Sequence, residues 1–258
     1  FSAMDPSNGV ELWKSDGTTA GTSLAFDIRT GSDSAFHLWR DPQFTKSGGL
    51  LYFLAARGCR DYDLWRTDGS GDGAVELHRF SPTLYSESSE WLTDFNGTLL
   101  FDADGGMVGE ELWRSDGTPD TTVLVRDVMP TARDYSTGAI SNTTSDGTTR
   151  FFAADDSIHG TELWRTNGTA EGTGMVADLR PGIASSGVSN TYVALDKVFF
   201  VAYNSETGYE PYVSDGTESG SSLLLDINPG VDDAFDLQRC PPQFSELNGL
   251  VYFAANDG

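Results

Sequence analysis

Short runs of aliphatic and aromatic residues, broken by glycine-containing turns, cover the whole chain, and their arrangement predicts strands joined by hairpins. One four-strand pattern recurs. Its first member is a short segment such as Trp91 to Phe95, and a two-residue turn follows. Asn96-Gly97, Gly48-Gly49, Asp146-Gly147 and Asn248-Gly249 occupy that turn, and such pairs favour positive φ at both central positions. The second strand carries an aromatic pair: Tyr52-Phe53, Phe151-Phe152, Phe199-Phe200 or Tyr252-Phe253. The third is a Glu-Leu-Trp strand that ends in a second turn, as in Ser15-Asp16-Gly17-Thr18 and Ser115-Asp116-Gly117-Thr118. The fourth is exemplified by Ser23 to Ile28. A longer loop then leads to the next copy.

The copies share the register F-x-A-x-D-x-x-x-G-x-E-L-W and start at Phe1, Phe53, Phe101, Phe152 and Phe200, with a sixth begun at Phe253. The anchors are 52, 48, 51, 48 and 53 residues apart. Three hairpins and one long crossing describe a four-stranded antiparallel blade. Repeated at a period of about 50 residues, it predicts an all-β fold, a five-bladed β-propeller. Residues 1–258 read as one domain, possessing a composite closing blade to which both termini contribute strands. The repeated Trp13, Trp65, Trp113 and Trp164, with Tyr212 in the fifth copy, are expected to be buried between blades.

Glu-Leu-Trp-Lys-Ser-Asp-Gly-Thr-Thr-Ala-Gly-Thr at 11–22 and Leu224-Leu225-Asp226-Ile227-Asn228-Pro229-Gly230 resemble the ELWxxDGT repeat family. The resemblance covers essentially the whole chain. Copy two departs from it at Arg57, Asp61 and Arg79, and copy five lacks the Trp. It implies a β-propeller-like repeat protein in a secreted or surface setting, and it carries no catalytic residues.

Charge narrows the function. With 39 acidic and 16 basic residues the net charge is −23, which repels nucleic acid and anionic lipid. No apolar run is long enough to span a membrane. Residue 1 is Phe, so the chain reads as a processed product or a segment of a longer one.

Several residues are candidates for chemistry. Asp5 with Glu11, and Asp156 with Glu162, lie on turning loops and are calcium candidates. The plainer reading is that each Glu caps backbone N–H groups of its own loop; no cofactor is otherwise expected. His37, His78 and His159 fall at unrelated repeat positions, and no Gly-x-Ser-x-Gly is present. Catalytic residues are therefore not assigned, and no enzyme is expected. Trp39 and Trp91 lie outside the repeated Trp position and are candidate sugar platforms. Asn96, Asn142 and Asn167 head glycosylation sequons. Cys59 and Cys240 are expected to pair as a disulfide if the ring closes with five blades, in an oxidising compartment.

These features lead to the expectation of a non-catalytic extracellular or cell-surface module. It would be structural or adhesive, its partners other protein chains or further domains of the same chain. The alternatives are a lectin-like propeller that binds glycans and, more remotely, a glycosidase with paired carboxylates.

Overall fold

The computed structural model describes residues 1–37, 42–56, 62–70, 73–80, 92–105, 109–129, 141–239 and 241–258. The protein is all-β, built of six antiparallel sheets, with no α-helix among the described residues. Its chain divides into two compact units, Phe1–Leu124 and Val125–Gly258.

The first unit opens with a three-stranded sheet of β1 (Ser2–Asp5), β2 (Gly9–Lys14) and β3 (Ser23–Phe26). A four-stranded meander follows: β4 (Thr45–Ser47), β5 (Leu50–Ala56), β6 (Tyr62–Thr67) and β7 (Val75–Arg79). The next comprises β8 (Leu92–Phe95), β9 (Thr98–Asp104), β10 (Glu110–Ser115) and β11 (Val123–Arg126), the last crossing the boundary between units.

The second unit holds β12 (Ser141–Ser145), β13 (Arg150–Asp155), β14 (Thr161–Thr166) and β15 (Gly174–Ala177) in one sheet. A second sheet contains β16 (Ser189–Ala194), β17 (Lys197–Asn204), β18 (Gly208–Ser214) and β19 (Ser222–Leu223). The last sheet has only β20 (Ser245–Leu247) and β21 (Leu250–Tyr252).

Three of the predicted two-residue hairpins are in place, at Gly48-Gly49, Asn96-Gly97 and Asn248-Gly249. At Asp146-Gly147 only Gly147 takes a positive φ, and the turn spans residues 146–149 because Asp146 Oδ1 accepts from the Thr148 and Thr149 N–H groups. Asn96 and Gly97 take φ of 54° and 84° between β8 and β9, the left-handed pair that the Asn-Gly sequence favours. The aromatic pair on the second strand works by alternation, because successive side chains leave opposite faces of a strand. Phe53 packs back onto Val10 and Leu12 of the first repeat. Tyr52 packs forward onto Leu99, Phe101 and Trp113 of the third. Likewise Phe200 faces the fourth repeat's Phe151 and Leu163, while Phe199 faces Phe244. The sheets of repeats two and five thus have two apolar faces, each packed on a neighbouring repeat.

A β-bulge recurs between the third and fourth strands. The register shifts at Leu12/Trp13, Leu64/Trp65 and Leu163/Trp164, so that Ala25, Leu77 and Val176 are the extra residues. A bulge bends its strand and sharpens the twist, which re-aims the chain as it leaves the blade.

The terminal sheets are partial, β1–β3 in the first unit and β20–β21 in the second, and β1 and β21 both occupy the second-strand position of the repeat. The buried Trp ladder is also only partly formed. Trp113, Trp164 and Tyr212 are buried, at 9%, 4% and 6% exposure, whereas Trp13 and Trp65 are half-buried.

Candidate functional site

The most regular chemistry in the molecule is a buried carboxylate on the third strand. Glu11, Asp63, Glu111, Glu162 and Glu210 occupy one repeat position and all five are buried. Three of them show a common bonding scheme. Glu11 Oε2 accepts from the Ile28 N–H at 2.8 Å, and Oε1 accepts from the Ala35 N–H at 3.0 Å. Glu162 accepts from Leu179 N–H at 3.0 Å, Ser186 N–H at 3.1 Å and Ser186 Oγ at 2.7 Å. Glu210 accepts from Ile227 N–H at 2.9 Å. The chain leaving the fourth strand delivers an amide to this carboxylate, and the following loop turns back to it.

That loop then passes the connection on. The N–H groups of Ala35, Ser186 and Ala234 donate to Val10 O, Thr161 O and Tyr209 O of their own repeat. Their carbonyls accept from Ala56, Tyr203 and Asn256 in the next one, at 2.7, 2.6 and 2.9 Å. One buried carboxylate therefore fastens its own blade to the linker, and the linker to the following blade. The motif glycine makes room for this path. Gly160 has φ of +68°, and a Cβ there would lie 2.7 Å from Ser185 N. Only glycine fits such a left-handed, closely approached position.

Burial raises the carboxyl pKa of Glu11, Glu162 and Glu210 against these N–H donors, which favour the ionised form. For Glu162 the balance leaves it at about 7. A second carboxylate follows in each of these repeats, Asp27, Asp178 or Asp226, and its charge adds to the upward push.

The calcium candidates thus have internal roles. Glu11 and Glu162 use both oxygens on the linker. Asp5 Oδ1 accepts from Ser7 N–H at 2.7 Å. Asp156 Oδ1 accepts from Ile158 and His159 N–H, and its Oδ2 meets His159 Nδ1 at 2.7 Å. Among the described residues no three His, Cys, Asp or Glu side chains gather to hold a metal ion. The Asp156–His159 pair departs from the repeat, since Asp5 and Asn204 cap their loops without a histidine. The hydrogen bond to Asp156 raises the His159 pKa. His78 lies tilted against Phe80 and Trp113, with centroids at 4.5 and 4.9 Å, and burial lowers its pKa.

The second repeated turn is also spent internally. Asp16, Asn167 and Asp215 each accept from the N–H and hydroxyl of the residue two positions on, Thr18, Thr169 or Thr217. Of the sequon residues, Asn96 and Asn167 sit exposed on turns and Asn142 lies on β12. Trp39, Trp91, Cys59 and Cys240 fall outside the described residues.

Sequence reasoning gave each Glu to its own loop and missed the linker residue 24 positions on. Ser34-Ala35-Phe36 and Asp233-Ala234-Phe235 stand at that spacing in two repeats, and this was the available signal.

The first strands form a different surface. β4 (Thr-Lys-Ser), β12 (Ser-Asn-Thr-Thr-Ser) and β20 (Ser-Glu-Leu) are largely polar, and β16 is only half-buried along its length. They adjoin within each unit. Thr45 Oγ1 donates to Leu92 O at 3.3 Å, Asn190 Nδ2 to Pro242 O at 3.2 Å, and Glu246 N–H to Tyr192 Oη at 3.1 Å.

No family model matches the chain, and no curated protein does. Several solved structures are similar. The acylaminoacyl peptidase of Pyrococcus horikoshii is 11% identical over 72% of this chain and 27% of its own, with a TM-score of 0.43. A prolyl endopeptidase is 14% identical over 98% of this chain and 36% of its own, with a TM-score of 0.48. TolB from Acinetobacter baumannii is 14% identical over 98% of this chain and 59% of its own, with a TM-score of 0.36. The chain therefore spans about a third of the length of these peptidases. The expectation of a non-catalytic structural or adhesion module, with its lectin and glycosidase alternatives, is corrected on this point: the similar structures named here are peptidases and a TolB. Among the described residues no helix is long and apolar enough to cross a membrane.

Proposed function

We propose that these residues form a propeller-type part of a peptidase-like protein, the part that receives and aligns a polypeptide. In this reading bond cleavage belongs to groups outside the repeated blades. The observation that carries it is the division of labour within each repeat. Glu11, Glu162 and Glu210 are committed to backbone N–H groups, so the repeated acids act as fasteners of a rigid frame. The polar first strands are the partly solvated layer that this frame holds. Hydroxyl groups such as those of Thr144 and Ser245 can exchange hydrogen bonds with an extended main chain without selecting for apolar side chains. The peptidase class comes from the named structures, and the ELWxxDGT resemblance and an extracellular setting belong to the same proposal.

The test is photo-crosslinking of the purified protein with a library of unstructured peptides, combined with mass mapping. Crosslinks concentrated on β4, β8, β12, β16 and β20 support the reading. Failure of any peptide to bind at high micromolar concentration, or crosslinks confined to the Asp-Gly-Thr turns, would refute it.

A further inference from the structure

The repeat leaves the side chain free at two loop positions, and the fourth repeat fills both with isoleucine. Between the second and third strands, one residue donates its N–H to the Asp or Asn two positions earlier. Ser7 donates to Asp5 at 2.7 Å, Ile158 to Asp156 at 2.9 Å and Glu206 to Asn204 at 2.9 Å. The bond is made by backbone, so serine, isoleucine and glutamate serve it equally. In the linker after the fourth strand, Ser32 O lies 2.9 Å from the position of a Cβ on Gly9, and Ile183 O lies 2.8 Å from that of a Cβ on Gly160. That close approach is again main chain on main chain. Ile158 and Ile183 are 66% and 78% exposed, so neither serves the core. Their loops adjoin, since Thr161 N–H donates to Ser185 Oγ at 2.9 Å. The next repeat is in place beside this linker, with Tyr203 N–H donating to Ser186 O at 2.6 Å, and Ile183 stays exposed all the same.

Carboxylates border the two isoleucines. Asp155 and Asp156 precede Ile158, and exposed Glu206 stands on the matching loop of repeat five. The counterpart of Ile183 in that repeat is Val231, followed by exposed Asp232 and Asp233. The cations nearby are already engaged. Arg180 lies over the Tyr203 ring, 5.0 Å from its centroid, and donates to Ser185 O at 3.2 Å, while His159 is bonded to Asp156. Among the described residues no cation pairs with Glu206 or Asp232.

We propose that the Ile158/Ile183 face docks a polypeptide segment that sets aliphatic side chains beside lysine or arginine. Adjacent exposed aliphatic side chains mark a contact surface. The carboxylates around them select a cationic partner and reject an anionic one. A wholly apolar partner would strip water from those carboxylates without replacing it. These loop residues are not those of the polar first strands, so the proposal goes beyond the alignment role given to that layer.

The test is an NMR titration of the full isotope-labelled chain with three short peptides of alternating residues: leucine with lysine, serine with lysine, and leucine with glutamate. The leucine–lysine peptide should shift the amide signals of residues 156–160 and 183–187, and added salt should weaken it. The serine–lysine peptide should bind about tenfold more weakly, the loss expected when aliphatic contacts are removed. The leucine–glutamate peptide should not bind. Ile158→Ser combined with Ile183→Ser should likewise weaken the leucine–lysine peptide about tenfold. These substitutions place in repeat four the residue type that repeat one carries as Ser7 and Ser32, so the fold is expected to persist. Should the double variant melt early, Glu206→Lys gives a second reading by weakening the same peptide. Equal affinity for the leucine–lysine and serine–lysine peptides would reduce the effect to general attraction by an acidic chain and overturn the proposal. So would unchanged affinity in these variants, or no binding at all. Shifts confined to β12 and β16 would place the peptide on the first strands, overturning this proposal while sparing that of the alignment layer.

Discussion

Repeats one and four carry nearly the same motif and end in different surroundings. Both have the bulge at Leu-Trp, both close a Glu onto residues 17 and 24 positions downstream, and both have a positive-φ glycine two residues before that Glu. Yet Trp164 is 4% exposed beneath the Arg126 guanidinium, 6.0 Å from its ring, while Trp13 is half-buried. Thr166 at the start of the fourth turn is 0% exposed, while its counterpart Ser15 is exposed. The motif alone therefore builds the blade and its lock. Over Trp164 the preceding repeat contributes the Arg126 side chain.

The comparison breaks most visibly at the Trp. Trp164→Ala should cost about 3–5 kcal/mol, as large-to-small changes in a packed core do. Trp13→Ala should cost only about 1–2 kcal/mol, since less apolar area leaves water there. Chemical denaturation of both variants checks this, and equal losses would mean that neighbours contribute nothing.

Gly160→Ala comes next, with a cost of about 2–3 kcal/mol from the left-handed backbone and the close approach to Ser185. Gly9→Ala should match it, because a Cβ on Gly9 would lie 2.5 Å from Asp33 O. Here the two repeats are predicted to be equivalent, and thermal melts of the pair decide.

Glu162→Gln should cost about 1–3 kcal/mol at pH 8, because one end of the amide would turn a donor towards backbone donors. It should also change the pH dependence. Glu162 binds its proton more tightly when folded, with a pKa of about 7 against 4.5, so the stability tied to that proton is complete below pH 4.5 and lost as pH rises through 7. Glu11 and Glu210 are shifted in the same direction. Asp16, Asp146, Asp156 and Asp215 are shifted downward, so their contribution is present above pH 3.8 and is lost in stronger acid. The melting temperature should therefore peak near pH 4–5 and fall towards pH 8. Glu162→Gln should flatten the falling limb; an unchanged slope would remove Glu162 as its source.

The smallest effect is expected at the turns. Asp16→Ala removes hydrogen bonds to Thr18 on an exposed loop and should lower the melting temperature less than any of the variants above. A melt of this variant alongside Asn167→Ala tests whether the two turns, one exposed and one partly covered, lose alike.

Much of the architecture was legible because it is written locally. Asn96-Gly97 specifies its hairpin within two residues, and Tyr52-Phe53 announces a strand with two apolar faces. What was hidden depends on partners remote in sequence. The duty of Glu162 towards Ser186, and of Ser186 towards Tyr203, spans two repeats and appears in no single copy of the motif. The half-buried state of Trp13 was invisible for the same reason, since its sequence context is that of Trp113. That β1 and β21 both hold the second-strand position is a matter of counting copies, which strand propensity does not address.

The hand-over at Ala35, Ser186 and Ala234 has a consequence for how such a chain can change length. Every bond of the lock closes within 25 residues, and the single outgoing bond is made to the second-strand segment of whatever repeat follows. A duplicated segment running from one motif phenylalanine to the next would carry its own carboxylate, glycine and linker, and would offer the same acceptor to its successor. Adding or deleting a whole period leaves every donor with a partner, as in arrays whose units contact only their neighbours. A change of a few residues between Glu and linker strands a buried carboxylate. Length variation in this chain is thus quantised in blades.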